Sequence, residues 1–249
     1  GSLELIECKT IEEKRRHGLE RLASGFRTFS HFGFDEGVAG HITFRDPEFE
    51  HHFWVNPFGM HFGQICVSDL VLVDRNGEVV LGDRPVNTAA FAIHSRLHEA
   101  RPDVNAAAHS HSMYGKSFSS MGRKLEPITQ DSCAFFEDHV LFDDFTGVVL
   151  ETDEGDRIAD ALGDKRAAIL KNHGLLTTGE TVDAAVWGFL SMDRCCQSQM
   201  IAESVGQMER IPDETAAMTK EQVGSELGMW VMYQPIYDLM LEKDDSFLN

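Results

Sequence analysis

Helices and strands alternate along this 249-residue chain, yet several of the strands are joined by hairpins. The clearest hairpin lies at Asn76-Gly77, with one short apolar run at 70–73 and another at 78–81. Such a pair turns easily because both residues tolerate positive φ, so two apolar runs around it read as paired antiparallel strands. Further strands are expected over 41–45, 51–55, 104–108, 140–142, 147–150, 167–170 and 175–178. Helical periodicity covers 10–29, where Ile11, Leu19, Leu22, Phe26 and Phe29 share one face, with a glycine-bearing loop expected over 31–40. It returns over 88–100 with Thr88 as cap, 181–205 with Thr181 as cap, and 214–241 with a break near Pro235. Short helices are expected at 112–120 and 156–162. Alternation with hairpins predicts an α/β layered fold around a mixed, largely antiparallel sheet.

Length suits one large domain or two small ones. Gly1 and Ser2 read as a tag remnant, which leaves 3–249 as one domain with a C-terminal helical extension over 214–249. The net charge of -19 argues against nucleic acid and against anionic membranes, since both need a basic surface. No apolar run approaches the roughly 20 residues that span a bilayer, and no signal peptide precedes the first helix. The cysteines at 8, 66, 133, 195 and 196 are odd in number and irregular in spacing. They read as reduced thiols in a cytoplasmic protein. Neither GxGxxG nor GxxxxGK[ST] occurs, so nucleotide-binding readings lack support.

Chemistry concentrates in the histidines. His109-Ser110-His111 ends a strand of small residues, Ala106-Ala107-Ala108. Residues i and i+2 of a strand share a face, so both imidazoles can reach one ion. His173 ends another short strand, and Gly174 lets the chain turn at once after it. Three imidazoles with an open position describe a catalytic metal site. In a chain with 12 histidines an HxH pair also arises without a metal. His51 and His52 are adjacent in an expected strand and point apart, so they read as surface residues, as does His61.

With these residues in view, the chain resembles the class II aldolase/adducin family from about residue 12 to about residue 210. The resemblance rests on Gly40-His41-Ile42-Thr43-Phe44-Arg45, Asn56-Pro57-Phe58-Gly59, the segment from Asn87 through His98, and Arg101-Pro102-Asp103-Val104 leading into His109-Ser110-His111. Pro127-Ile128 with Gln130, Gly147, and Leu170-Lys171-Asn172-His173-Gly174 complete it. It implies a three-layer α/β/α sandwich and one divalent metal ion on His109, His111 and His173. The ion would be zinc first, with manganese or iron as alternatives. It also implies a homotetramer with sites between neighbouring subunits, and substrate contacts from Gly40, Asn56, Thr88 and Gln130.

Two departures bear on the reaction. The aldolases carry Ser-Ser-Glu at the start of the helix before the HxH strand; the run here is Thr88-Ala89-Ala90, so the acid/base glutamate is replaced by Ala90. The aldolases' Gly-Asn becomes Gly40-His41. The branch with decarboxylases and adducins shares these departures. The expected function is therefore a metal-dependent lyase that cleaves a C–C bond beside a carbonyl or phenolic oxygen of a small molecule. A decarboxylase of an aromatic or heteroaromatic carboxylate and an adducin-like binding domain are the alternatives. His41 is the candidate acid/base, against a strand histidine that is merely exposed or hydrogen-bonded. His94 fits core packing or hydrogen bonding beneath the site better than ligation. Gln130 could touch substrate, orient His109 or cap a loop, and Tyr114 could face a neighbouring site or pack in the core.

Overall fold

The computed structural model describes residues 6–148 and 152–249. Its strands are β1 His41–Arg45, β2 Phe53–Val55, β3 Val71–Val73, β4 Val79–Leu81, β5 Ala106–Ser110, β6 His139–Phe142, β7 Ala167–Leu170 and β8 Gly174–Gly179. The main helices are α1 Ile11–Phe32, α2 Thr88–Ala100, α3 Met113–Ser119, α4 Thr152–Leu162, α5 Val182–Val205, α6 Asp213–Val223 and α7 Glu226–Lys243. One sheet has the order β4-β3-β2-β1-β5-β8-β7-β6. Its neighbours pair antiparallel except β6 and β7, which are parallel. The mixed, largely antiparallel sheet expected from the hairpins is therefore present. The expected strand over 147–150 is not, where described: Gly147 and Val148 form a bend, and 149–150 lie outside the described residues.

Strand alternation sorts the core into two layers. Ala106 and Ala108 of β5 face one side, packed with Phe26 and Phe29 of α1 and Val186 and Phe189 of α5. Ala107 faces the other, packed with Ile93 and Leu97 of α2 and Ile158 and Leu162 of α4. The period of two then carries His109 and His111 to the α2 side of the sheet.

Caps set the helix ends. Thr10 and Glu13 form a reciprocal capping box at the start of α1. Thr181 accepts from Ala184 N–H at the start of α5. In α1 the buried face includes Leu19, Leu22, Phe26 and Phe29, whereas Ile11, in the first turn, is exposed. The cap of α2 is Asn87, whose side chain accepts from Ala89 N–H, and Thr88 is the first helical residue. The C-terminal break falls at Gly224 and Ser225, not at Pro235. Ser225 caps a new helix, and α7 runs on through Pro235 because Met229, Tyr233, Gln234 and Met240 are buried. That packing outweighs the backbone bond that proline cannot donate. Among the described residues no helix is long and apolar enough to cross a membrane. All five cysteines are free, with Cys133, Cys195 and Cys196 buried.

β2 begins later than alternation suggests because Asp46 organises a turn ahead of it. Its carboxylate accepts from Glu48 and Phe49 N–H, Arg15 Nε and Trp54 Nε1. Burial raises the Asp46 pKa, but these donors overcome it and hold the group at about 2. A depressed carboxylate contributes stability that is present above its unfolded value and lost as pH falls through the folded one. Asp46→Asn is expected to lower stability near neutrality and to flatten its loss between pH 3.8 and about 2, read by denaturant unfolding across that range.

Candidate metal centre

Two strand ends and one turn build the centre. β5 and β8 are antiparallel neighbours with His109 opposite Leu176 and Ser110 opposite Leu175. His173 sits in the turn just before β8, where Asn172 takes a φ of 58° and His173 N–H bonds Leu170 O. Asparagine tolerates that left-handed conformation better than most residues. A Cβ on Gly174 would lie 2.9 Å from Ser110 O, so only glycine lets the turn come this close to β5. The ring centroids are 5.2 Å apart for His109–His111, 4.7 Å for His109–His173 and 4.9 Å for His111–His173. One nitrogen from each ring lies within 4.8 Å of the others.

The donor chemistry fits a cation. His109 Nδ1 is 2.7 Å from Leu175 O. A carbonyl only accepts, so Nδ1 carries the proton and Nε2 is bare for a metal. Burial, followed by the neighbouring histidines, pushes His109 well below the usual imidazole range. Burial, then His111, brings His173 down to about 4, and burial, then Lys116, lowers His111. Three neutral imidazoles offer lone pairs without a proton to displace.

The centre opens on a cavity of about 660 Å³. Its walls include Val38, Ala39, Ile93, Phe145 and Val148, and Lys116 is the one lysine or arginine among the described residues lining it. Lys116 Nζ stands 3.0 Å from Glu36 Oε1. Gly40 and His41 also line the cavity. Gly40 has a φ of 101°, and a Cβ there would lie 2.9 Å from His109 O. His41 is opposite His109 across the β1–β5 pairing, so both rings project from the same face, with centroids 5.2 Å apart. His41 is buried, and burial followed by His94 holds its pKa well below the usual range.

Five of the site residues expected from the sequence thus converge: Gly40, His41, His109, His111 and His173. Three do not line this cavity. Asn56 is buried with Oδ1 unpartnered among the described residues, and Thr88 is exposed while its neighbours Asn87 and Ala89 face the cavity. Gln130 is exposed where it leads into the short 3-10 turn Asp131–Phe135. Helical rotation explains Thr88: consecutive residues point about 100° apart, so only one side of the first turn meets the site. The same rotation puts Ala90 against Val55, Val71 and Val73, away from the cavity wall. His51 is exposed in a turn rather than in a strand, and exposed His61 accepts from Gly63 N–H. Tyr114 is half-buried against the core.

Sequence reading missed Lys116, Asn87 and Phe145. Lys116 had a usable signal: a helix starting directly after His111 must keep its first turns beside that histidine. Phe145 had none, because its loop reaches the site only through the packing of β6.

Residues 20–200 match the family profile described as Class II Aldolase and Adducin N-terminal domain. The chain is 49% identical over 237 residues to "Decarboxylase NovR" of Streptomyces niveus, covering 94% of this chain and 88% of that protein. It is 48% identical over 237 residues to "4-hydroxy-3-prenylphenylpyruvate oxygenase/4-hydroxy-3-prenylbenzoate synthase" of Streptomyces roseochromogenus subsp. oscitans, covering 94% and 86%. Its fold superposes on "L-fuculose 1-phosphate aldolase from Glaciozyma antarctica PI12" with a TM-score of 0.91 at 44% identity, covering 97% of this chain and 95% of that one. The three-layer fold, the ordered motifs and these likenesses together make the chain a member of the class II aldolase/adducin family.

Proposed function

We propose that this protein is a metal-dependent lyase that breaks a C–C bond beside a carbonyl or phenolic oxygen, and that its substrate is an aromatic or heteroaromatic carboxylate. The observation that carries the reading is the meeting of His109, His111 and His173 at one end of a largely apolar cavity. A divalent ion on these residues, zinc first with manganese or iron as alternatives, supplies a Lewis acid for substrate oxygens. Val38, Ile93, Phe145 and Val148 offer apolar contact that suits a ring better than a phosphorylated sugar. Lys116 provides one positive charge, enough for a carboxylate once Glu36 gives way. In the bond-breaking step the electron pair of the cleaved bond moves toward the substrate oxygen and the carboxylate leaves as carbon dioxide. The carbon then needs a proton, and His41 is the imidazole beside the triad free to handle one. Among the described residues lining the cavity none bears a carboxyl group, which disfavours the proton transfer that the aldolases assign to their glutamate.

The same reading includes a small-molecule substrate, a cytoplasmic setting, 3–249 as one domain, and a homotetramer with sites between subunits. Val80 and Leu81 on edge strand β4, with Phe145 and Val148 near the cavity mouth, leave exposed apolar surface that a second copy would cover. Asn56, Thr88 and Gln130 would then serve as substrate contacts only if the assembly brings them to a site.

The test is turnover by the zinc- or manganese-loaded protein of 2- and 4-hydroxyaryl carboxylates, followed as carbon dioxide release, with L-fuculose 1-phosphate in parallel. Metal-dependent release from the aryl acids is the expected result. Cleavage of the sugar phosphate alone would replace this reading with an aldolase, and a chain that binds no metal would replace it with a binding domain. Lys116→Met is expected to raise KM for the aryl acid about 10- to 100-fold, equivalent to the roughly 1.5–3 kcal/mol of a charged hydrogen bond, with kcat little changed.

A further inference from the structure

Beneath His41 lies a hydrogen-bonded series that the metal centre does not use. Thr43 sits two residues on from His41 in β1 and so points from the same face of the sheet, opposite Ala107. Its Oγ1 lies 2.7 Å from His94 Nδ1 and 2.8 Å from His98 Nε2, both on α2. His98 Nδ1 lies 3.2 Å from Val104 O. His94 and His98 are one turn apart on α2, so both rings reach down to the same hydroxyl. All three side chains are buried.

The protons in this series can be assigned in order. Val104 O only accepts, so His98 Nδ1 donates to it. A neutral His98 then has a bare Nε2, and Thr43 must give it its single hydroxyl proton. Thr43 Oγ1 has no proton left for His94, so it accepts from His94 Nδ1–H. His94 Nε2 is therefore a lone pair. The neutrality of His98 is well founded: burial, then the nearby Arg45 guanidinium, pushes it down to about 3. Burial likewise keeps His94 well below the usual range.

His94 Nε2 has no partner among the described residues, and neither ring nitrogen of His41 has one. The two rings meet at 4.3 Å between centroids with planes 74° apart. A buried acceptor without a donor costs about 1–3 kcal/mol, and the ring of His41 packs against this one. We propose that His94 is a positioning residue: locked by Thr43 and His98 with its Nε2 bare, it presents an acceptor to the ring of His41 and so favours the His41 tautomer whose N–H can turn to it.

This rests on the reading of His41 as the residue that handles the substrate proton, because the ring packed against it bears on which of its nitrogens carries the proton. The series ends at a backbone carbonyl, so it holds a tautomer and does not conduct protons to solvent.

The test is side-chain 15N NMR of the full chain labelled at histidine, loaded with zinc, with His94→Gln used to assign the His94 signals. Ring nitrogens bearing a proton and bare ring nitrogens have well-separated shifts. The expected spectrum shows His94 with Nδ1 protonated and Nε2 bare. Thr43→Val should convert it to a mixture of tautomers, and Thr43→Ser should restore it. In the carbon dioxide assay Thr43→Val should lower kcat about 10- to 100-fold with KM little changed, as for other residues that orient an active-site imidazole. A wild-type His94 with Nε2 protonated and Nδ1 bare would overturn the proposal, as would a Thr43→Val spectrum unchanged from wild type. The tautomer is read without turnover, so it stands or falls separately from the lyase reading. Thr43→Ser, which keeps the hydroxyl, separates loss of the hydrogen bond from loss of the fold.

Discussion

Replacing His109 with alanine should empty the metal centre and abolish turnover. Bound zinc or manganese is expected to fall from about one ion per chain to a small fraction of that, because a site with one of three imidazoles removed loses much of its affinity. Activity should fall at least about 1000-fold, which corresponds to about 4 kcal/mol of lost stabilisation of the reacting state. His109 is the most informative of the three ligands because it is the most buried and because Leu175 O fixes which of its nitrogens is bare. Metal analysis of the gel-filtered protein checks the first outcome, and circular dichroism checks that the fold persists. A variant that kept its metal would remove the basis of the lyase reading. The cost to stability should be smaller, about 1–3 kcal/mol for the carbonyl left without a donor.

The largest effect on stability should come from the opposite face of the sheet. Asp183, in the first turn of α5, accepts from Arg21 Nη1 at 3.0 Å and from Gln234 Nε2 at 2.8 Å. Arg21 also donates to Gln234 Oε1 at 3.1 Å and lies 3.5 Å from the centre of the Tyr237 ring. Both members of the ion pair are buried. Asp183→Ala would leave the Arg21 charge in place without its partner. That change typically costs about 3–5 kcal/mol, because desolvation persists while the attraction is gone. For a chain of this size the midpoint of thermal unfolding should fall by roughly 10 °C or more. Arg21→Met combined with Asp183→Leu should recover much of the loss, since an apolar pair avoids the desolvation cost. Metal content per folded chain should be unchanged in both variants, because α1 and α5 pack on the face of the sheet away from the histidines. Denaturant unfolding with metal analysis on the same samples reads both outcomes.

Much of the fold was legible because its local signals agree. Asn76-Gly77 does mark the β3–β4 hairpin, and the apolar faces of α1 and α2 do point inward. The strand end at His109 follows from alternation alone. The errors lie where a tertiary contact overrode a local rule. Pro235 should interrupt a helix, but the buried side of α7 carries the helix through it, and the break moved to Gly224 and Ser225. Thr88 is a good capping residue, yet Asn87 caps α2 and so turns Ala89, rather than Thr88, toward the cavity. The early part of the strand expected over 51–55 became a turn because Asp46 draws the chain around its carboxylate.

Taken alone, the order of residues determined which histidines share a face, where the chain can turn sharply, and to which family the motifs belong. Those are short-range properties, set by backbone periodicity and by the φ values that glycine and asparagine tolerate. Only the tertiary structure decided that the ring of His173 meets those of His109 and His111, because that depends on β8 lying antiparallel to β5. It also decided the company His41 keeps. Its contact with His94, and the Thr43 hydroxyl that holds His94 and His98, join residues 51 to 55 positions apart in sequence. No local pattern encodes such a meeting, since the packing of a helix against a sheet brings it about.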